Sequence, residues 1–307
     1  MDQSSTSSLY HHLQTFGDWW RYATSAFGAA KLSYGQGFTN ARDEALFLLQ
    51  HVLALPCQEP DWVDSFLNAQ LLPHEKSKLN ELIQLRINNH VPVCYLVGEA
   101  WLQGVKFKSD RRALIPRSLI AELIPDGLDA LLDREPSTIL DMCCGGGSLA
   151  ILLAMRFDNA SVVAADLSND ALSLARENVT AHQLTHRIGL VETNLFARMP
   201  SQRFDLMVCN PPYVNAKSMR ELPPEFLQEP QIALAAGRDG MDLIRRLLSE
   251  VPQFLSDDGV LVLEIGHEID HFSKAFPELD VEWLSTSHGD FGVCAIRKIA
   301  ILSARLS

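Results

Sequence analysis

No run of about eighteen consecutive apolar residues occurs in this chain, so it lacks the stretch that a membrane-spanning helix requires. The opening residues, Met1 to Ser8, are polar and have no basic segment ahead of an apolar one, so no export signal is read there and the chain is expected in the cytoplasm. Basic residues are scarce: 26 Lys plus Arg stand against 38 Asp plus Glu, a net charge of −12. That balance argues against direct, sequence-specific binding of a nucleic-acid backbone and suits a basic protein partner drawn in by long-range attraction. The six cysteines (Cys57, Cys94, Cys143, Cys144, Cys209, Cys294) form no CxxC pair, and three lie in apolar, strand-like runs. They read as reduced core residues, neither a disulfide framework nor a metal site. A bridge between the adjacent Cys143 and Cys144 is strained, so these read as small side chains in a tight loop. Internal repeats and low-complexity segments are absent as well. The 307 residues suffice for one large domain with a smaller partner.

Periodicity divides the chain in three. Residues 1–91 carry helical spacing, with Leu46, Leu49 and Leu53 and then Leu79, Leu82, Ile83 and Arg86-Ile87 recurring at threes and fours. This reads as a small helical domain, broken at Tyr34-Gly35-Gln36-Gly37 and at Pro56 and Pro60. Residues 92–116 are short aromatic and β-branched pieces between glycines, read as a β-hairpin linker. In residues 117–307 a helix over Ser118 to Leu132 leads into alternating strands and helices. The strands are Thr138 to Met142, Val162 to Asp166, Ile188 to Glu192, Phe204 to Cys209 and Val260 to Glu264, with a closing antiparallel pair near Val281 to Leu284 and Gly292 to Ile296. The fold class is therefore α/β, a mostly parallel sheet with helices on both faces.

Asn210-Pro211-Pro212-Tyr213 ends the fourth of these strands, where an α/β enzyme places its chemistry. Two prolines have no N–H and a fixed φ, so the strand stops at Asn210, which Pro211 holds extended. The result is a stiff polar clamp with an aromatic lid, Tyr213, expected to pack over the group it holds.

Strand one runs into Asp141-Met142-Cys143-Cys144-Gly145-Gly146-Gly147-Ser148 and then a helix, Leu149 to Arg156. Glycines let backbone N–H groups approach a ligand, and a helix N-terminus favours a negative group such as the carboxylate of an amino-acid-like cofactor. Strand two ends in Asp166, 25 residues after Asp141 and placed to accept hydrogen bonds from ribose hydroxyls, while Ser168 caps the following helix and leaves Asp166 free. A nucleoside cofactor follows, with NAD and S-adenosylmethionine both open. The loop lacks the dinucleotide spacing, and hydride transfer has no use for the clamp; methyl transfer to a planar amide or aromatic amine does. The nitrogen lone pair is delocalised, so acceptors holding its N–H groups, the Asn210 side-chain oxygen and the Pro211 carbonyl, must help localise it.

With these residues the chain resembles the glutamine N5-methyltransferases of translation proteins, the family of HemK (PrmC) and PrmB, over nearly its whole length. Leu114-Ile115-Pro116-Arg117-Ser118, the Asp141 to Gly147 loop, Asp166-Leu167-Ser168, Asn194-Leu195-Phe196, Asn210 to Tyr213, Glu229-Pro230 and Ala236 to Gly240 carry the resemblance. Pro116-Arg117-Ser118, Tyr95 to Gly98 with Ala100-Trp101, and Asn40 to Ala45 look more like the PrmB branch than the release-factor branch. The resemblance implies a seven-stranded S-adenosylmethionine-dependent fold. It implies cofactor contacts from Asp141, Cys143, Cys144, Gly145, Gly146, Gly147, Asp166, Leu167, Asn194, Leu195 and Asn210. It further implies glutamine binding by Asn210, Pro211, Pro212 and Tyr213, catalysis by Asn210, Pro211 and Tyr213, and large-subunit ribosomal protein three, a basic substrate, as partner, free or in an assembling subunit. Cys144, Gly146 and Asn194 depart from the usual Thr, Ser and Asp, which implies altered cofactor affinity and a looser loop.

Three other readings compete: a release-factor glutamine methyltransferase, an adenine N6-methyltransferase on nucleic acid, and a ribosome-assembly binding factor without activity. An adenine enzyme needs a basic, aromatic-bearing surface, and Phe16, Trp19, Trp20, Tyr22 and Phe27 stand at helical spacing with few basic neighbours, as core or partner surface. The intact clamp, loop and Asp166 argue against an inactive factor. His267 reads as a solvated helix cap, and Glu221 to Glu229 as a lid or a surface loop.

Overall fold

The computed structural model describes residues 12–55 and 62–304, so the readings on Met1 to Ser8, Pro56, Cys57 and Pro60 lie outside the described residues. The chain forms two compact units, Met1–Gly98 with Pro223–Gln228, and Glu99–Leu222 with Glu229–Ser307. No helix among the described residues is long and apolar enough to cross a membrane.

The first unit is helical: α1 (Phe16–Ala29), α2 (Ala41–Val52), α3 (Trp62–Phe66), α4 (Pro73–Asn89) and α5 (Val93–Val97). Thr15 and Asp18 form a capping box that starts α1, and the Asn40 side chain accepts from Asp43 N–H to start α2. Phe16, Trp19, Ala23 and Phe27 fall on one face of α1 and are buried, so these aromatics are core; Trp20 and Tyr22 pack against it half-buried. The buried stripe of α2 is Ala45, Leu48 and Leu49, one step round from the predicted Leu46, Leu49 and Leu53. On α4 the stripe is Leu79, Leu82, Ile83 and Arg86 as the spacing predicts, with Ile87 only half-buried beside it. Arg86 is buried because two carboxylates neutralise it: its Nε donates to Glu44 (3.1 Å) and its Nη1 to Glu225 (3.2 Å). Glu225 also accepts from the Ser33 N–H and meets His90 Nδ1 at 3.0 Å. The segment read as lid or surface loop thus contributes a buried residue to the helical unit.

Val93–Val97 is helical, not the first arm of a hairpin: an apolar run this short does not declare its periodicity, and Gly98 ends the turn with φ +77°. The hairpin is shorter, β1 (Glu99–Leu102) against β2 (Val105–Lys108), turning at Gln103 and Gly104, both at positive φ as a two-residue loop requires. The predicted helix over Ser118 to Leu132 reduces to α6 (Ile120–Leu123) and a single 3₁₀ turn, because Pro125 cannot continue it.

The strand predictions hold closely. The second unit contains β3 (Thr138–Met142), α7 (Ser148–Arg156), β4 (Ser161–Asp166), α8 (Asn169–Ala181), β5 (Ile188–Glu192), β6 (Phe204–Cys209), α9 (Ala216–Glu221), α10 (Asp242–Glu250), β7 (Leu255–Glu264), α11 (Ile269–Ala275), β8 (Glu282–Thr286), β9 (Gly289–Arg297) and α12 (Lys298–Ser303). Seven strands order as β5-β4-β3-β6-β7-β9-β8, parallel from β5 to β7, with β9 antiparallel to both its neighbours. Alternate residues feed two cores: Leu206 and Val208 join Ile151 and Leu153 on one face, Met207 and Cys209 join Ile244 and Leu248 on the other. The chain steps outward from β3 to β5 and then returns to lay β6 beside β3, which creates a switch point between them.

Truncating Arg86 leaves two buried carboxylates without their cation. Arg86→Ala is expected to destabilise the protein by about 3–5 kcal/mol, measured by chemical denaturation, whereas the exposed pair Lys78 and Glu81 is expected to tolerate loss within about 1 kcal/mol.

Candidate active site

Parallel pairing brings three strand ends level. Met142 of β3 pairs with Ala165 of β4 and with Cys209 of β6, so the next residues, Cys143, Asp166 and Asn210, stand side by side at the carboxyl edge of the sheet. All three line a cleft of about 390 Å³ together with Gly145, Leu167, Asn194, Leu195 and Pro212. That volume lies within the roughly 300–1,000 Å³ of small-molecule sites. Cys143 (φ +62°) and Leu195 (φ +51°) hold left-handed backbone that costs a side-chain-bearing residue about 1–2 kcal/mol. Strain of this kind persists only where the surroundings impose it.

Asp141, Cys144, Gly146, Gly147, Pro211 and Tyr213 do not line the cleft; they build what stands behind it. The glycine loop is tied down by its own hydrogen bonds: Gly145 N–H donates to Asp166 Oδ2 (2.8 Å), Gly147 N–H to the Cys144 carbonyl (2.9 Å), and Asn178 Nδ2 to the Gly146 carbonyl (3.0 Å). A Cβ on Gly147 would stand 3.1 Å from that of Ala175, so the loop lies close against α8. The N-terminus of α7 is met by Asp141, whose Oδ2 accepts from Ala150 N–H (2.9 Å). The protein's own carboxylate occupies the place where a ligand anion is predicted. Asp141 Oδ1 is buried with no hydrogen-bond partner. Burial, with nearby Asp166 adding to it, outweighs the Ala150 bond and pushes the Asp141 carboxyl up to about 8.

Asp166 is not free of the backbone, as the sequence suggests. Ser168 Oγ does cap α8 at Ala171, but Asp166 accepts from both Gly145 N–H and Ser168 N–H (2.8 Å each). A carboxylate oxygen accepts more than one bond, so each retains capacity for a hydroxyl. Burial raises its pKa despite these donors.

This donor set fits a nucleoside cofactor. A pyrophosphate would meet a loop whose amides are largely spent on the protein's own acceptors, whereas a nucleoside without phosphates needs none of them and finds acceptors for its ribose hydroxyls at Asp166. Leu167 and Ile232, apolar yet 52% and 55% exposed, flank the cleft and offer a dry face to a planar base. Asn194 reaches the cleft with Oδ1 accepting from Arg246 Nη2 (3.1 Å), a partner the sequence reading missed.

Asn210 faces the cleft, and no described residue hydrogen-bonds to its carboxamide. Behind it, the Ala236 to Gly240 motif acts as a brace: Val214 N–H donates to the Leu234 carbonyl (2.9 Å), Ala236 N–H to the Val214 carbonyl (3.0 Å), and a Cβ on Gly240 would collide with the Tyr213 carbonyl at 2.2 Å. The Tyr213 hydroxyl donates to Glu264 Oε1 (3.3 Å), and its ring lies over Gly266 so closely that a Cβ there would stand 2.6 Å away. Burial and the Glu264 charge keep this phenol protonated far above its usual range, so Tyr213 packs and does not act as a base. Two more buried glutamates brace the region. Glu229 accepts from Arg117 Nη1 (2.8 Å) and Ile115 N–H (3.3 Å), and Glu268 accepts from Asn215 Nδ2 (2.6 Å). Their signal in the sequence is slight: Glu264 ends an apolar strand, a place where a charge needs a reason. His267 is largely exposed, as read, but does not cap α11, whose N-cap position is Glu268; it sets its ring edge-on to Tyr213 at 6.3 Å between centroids.

The sheet order with its one reversed strand, the glycine loop and the cleft define an S-adenosylmethionine-dependent methyltransferase. The family model described as "Methyltransferase small domain" matches residues 126–239. A ribosomal protein uL3 glutamine methyltransferase of Bordetella pertussis is 51% identical over 278 residues, covering 90% of this chain and 92% of that one. Its counterparts in Burkholderia pseudomallei (45% over 292 residues, 92% and 94%) and Xanthomonas campestris pv. campestris (40% over 305 residues, 98% and 98%) are similar over as much of their length. The chain belongs to the family of ribosomal protein uL3 glutamine methyltransferases. Likeness to solved structures is slighter: a ribosomal protein L11 methylase of Lactobacillus delbrueckii subsp. bulgaricus gives a TM-score of 0.40 at 22% identity over 57% of this chain and 77% of that one.

The Asp141 carboxyl, ordinarily at 3.8 and here at about 8, favours the protonated form in the folded state. Its contribution to stability is full at acidic pH and is lost as pH rises to about 8. The thermal midpoint of the ligand-free protein is therefore expected to fall across that window, and Asp141→Asn, which cannot ionise, to flatten the fall. An unchanged pH profile in the variant would contradict the assignment.

Proposed function

We propose that this enzyme methylates the side-chain nitrogen of a glutamine in ribosomal protein uL3, with S-adenosylmethionine as the methyl donor. The observation that carries the reading is the Asn210 carboxamide: it follows β6 in the same cleft as Asp166 and the glycine loop, and no described residue engages its hydrogen-bonding groups. The cofactor supplies an electrophilic methyl group. Asp166 would hold its ribose hydroxyls, Leu167 and Ile232 its base, Asn194 and Leu195 the rim beside the base, and Cys143 and Gly145 the loop side. Asp141, Cys144, Gly146 and Gly147 shape that loop from behind.

Asn210 Oδ1, which faces the cleft, is assigned to the glutamine N–H groups, with the carbonyl of the adjoining Pro211, a residue outside the cleft lining, as the second acceptor. Holding those protons turns the nitrogen lone pair out of conjugation with its carbonyl, and fixed acceptors of this kind act mainly in the transition state. Pro212 and Tyr213 keep the acceptors rigid. No strong base is required, because the nitrogen becomes acidic only as the new N–C bond forms, and its proton then passes to water.

All residues lining the cleft belong to the second unit, which leaves the helical unit, near the 1–91 boundary read from sequence, for recognition of the substrate protein. The net charge of −12 supports a basic partner. A cytoplasmic site agrees with cysteines that are unbridged among the described residues.

Asn210→Ala is expected to lower kcat about a hundredfold or more, with a smaller change in cofactor Kd. Asp166→Ala is expected to raise cofactor Kd and spare kcat at saturation, with a secondary loss of loop order because Gly145 loses its acceptor. Mass spectrometry of unmethylated uL3 and release factors treated side by side tests the substrate: methyl on a uL3 glutamine supports the reading, and methyl on a release factor alone overturns it.

A further inference from the structure

Glu264 ends β7 and is 3% exposed, so its carboxyl must be held by donors. Three reach it. Ser118 Oγ donates to Oε2 at 2.6 Å, Leu119 N–H donates to the same oxygen at 2.9 Å, and the Tyr213 hydroxyl donates to Oε1 at 3.3 Å. Ser118 is itself buried, 6% exposed, and its Oγ also accepts from Ile120 N–H at 3.3 Å, so its hydroxyl proton has one acceptor to point at. The short bond to Ser118 and the longer one to Tyr213 lie on opposite oxygens of one carboxyl group. Removing the Ser118 donor leaves Oε2 held by the Leu119 N–H alone, which loosens the carboxyl group that Tyr213 meets. Tyr213 in turn has little room to move by itself, since its ring lies on Gly266 and its carbonyl on Gly240. The neighbouring segment is pinned independently, because Arg117 and the Ile115 N–H are held by Glu229. The loop therefore has an anchor besides Ser118, whose hydroxyl proton is spent on Glu264 while its oxygen accepts locally from Ile120.

We propose that Ser118 is a positioning residue for methyl transfer, which acts through Glu264 to fix the Tyr213 phenol behind the Asn210–Pro211 acceptors. The inference deepens the glutamine-methylation reading and rests on it for its kinetic consequence, though not for its structural one.

The test uses the full-length enzyme with S-adenosylmethionine and unmethylated uL3, together with enzyme labelled with carbon-13 at the tyrosine Cζ. Ser118→Ala is expected to lower kcat about tenfold with cofactor Kd unchanged within about twofold, and Ser118→Thr, which keeps the hydroxyl, to recover most of the loss. The double variant Ser118→Ala/Tyr213→Phe is expected to be no slower than Tyr213→Phe alone, because both act along one line. In the labelled protein, Tyr213→Phe identifies the signal, and Ser118→Ala is expected to shift that signal while the other tyrosines hold. Additive kinetic losses, or an unmoved Tyr213 signal, overturn the proposal. If Ser118→Ala fails to fold, Glu264→Gln is read for the same Tyr213 shift, and its absence is equally fatal. A wild-type enzyme that leaves uL3 unmethylated refutes the substrate reading instead, and the tyrosine signal still decides the role of Ser118.

Discussion

Everything at the active site depends on the register of three parallel strands. Because Met142 lies level with both Ala165 and Cys209, the residues that leave the sheet next are neighbours in space although they are far apart in the chain. The strand ends supply an acid, a glycine loop and a carboxamide in one row, and the return of β6 to the side of β3 opens the sheet edge there for a ligand. A one-residue slip in either pairing would send Asp166 or Asn210 to the opposite face of the sheet, into an apolar core.

Around that row the protein buries an unusual number of carboxyl groups, and they differ in how they are compensated. Asp166 and Glu264 are held by backbone and hydroxyl donors, Glu229 by a guanidinium. Asp141 receives one N–H and leaves its other oxygen without a partner. Compensated groups stiffen the walls. The uncompensated one is kept protonated by burial until the pH nears about 8, so it is buried without adding a charge behind the loop at neutral pH. Charge and rigidity are thus divided between carboxyl groups by their surroundings alone.

Much of this was legible in the sequence. Strands β3, β5 and β6 coincide with their apolar runs, and the Asn210 to Tyr213 clamp announces itself because two prolines must end a strand. What escaped is long-range. Ser118 and Glu264 are separated by most of the catalytic unit, and no local pattern pairs them; nor does any periodicity reveal that Asp166 will spend its oxygens on Gly145 and Ser168. Arg86 sits on an apolar stripe and counts as a defect until Glu44 and Glu225 are seen beside it. The short segment Val93–Val97 was misread because five apolar residues satisfy a strand and a helix equally.

Glu225 has a consequence for biosynthesis. The helical unit is made first, but its buried Arg86 is balanced by a residue that leaves the ribosome only after residues 99–222 have been made. At about 5–20 residues per second that is a delay on the order of ten seconds, during which the N-terminal helices exist with an incomplete charge network. Domains commonly fold in the order they are synthesised; the charge network of this unit closes only once a stitch from the middle of its successor has been made.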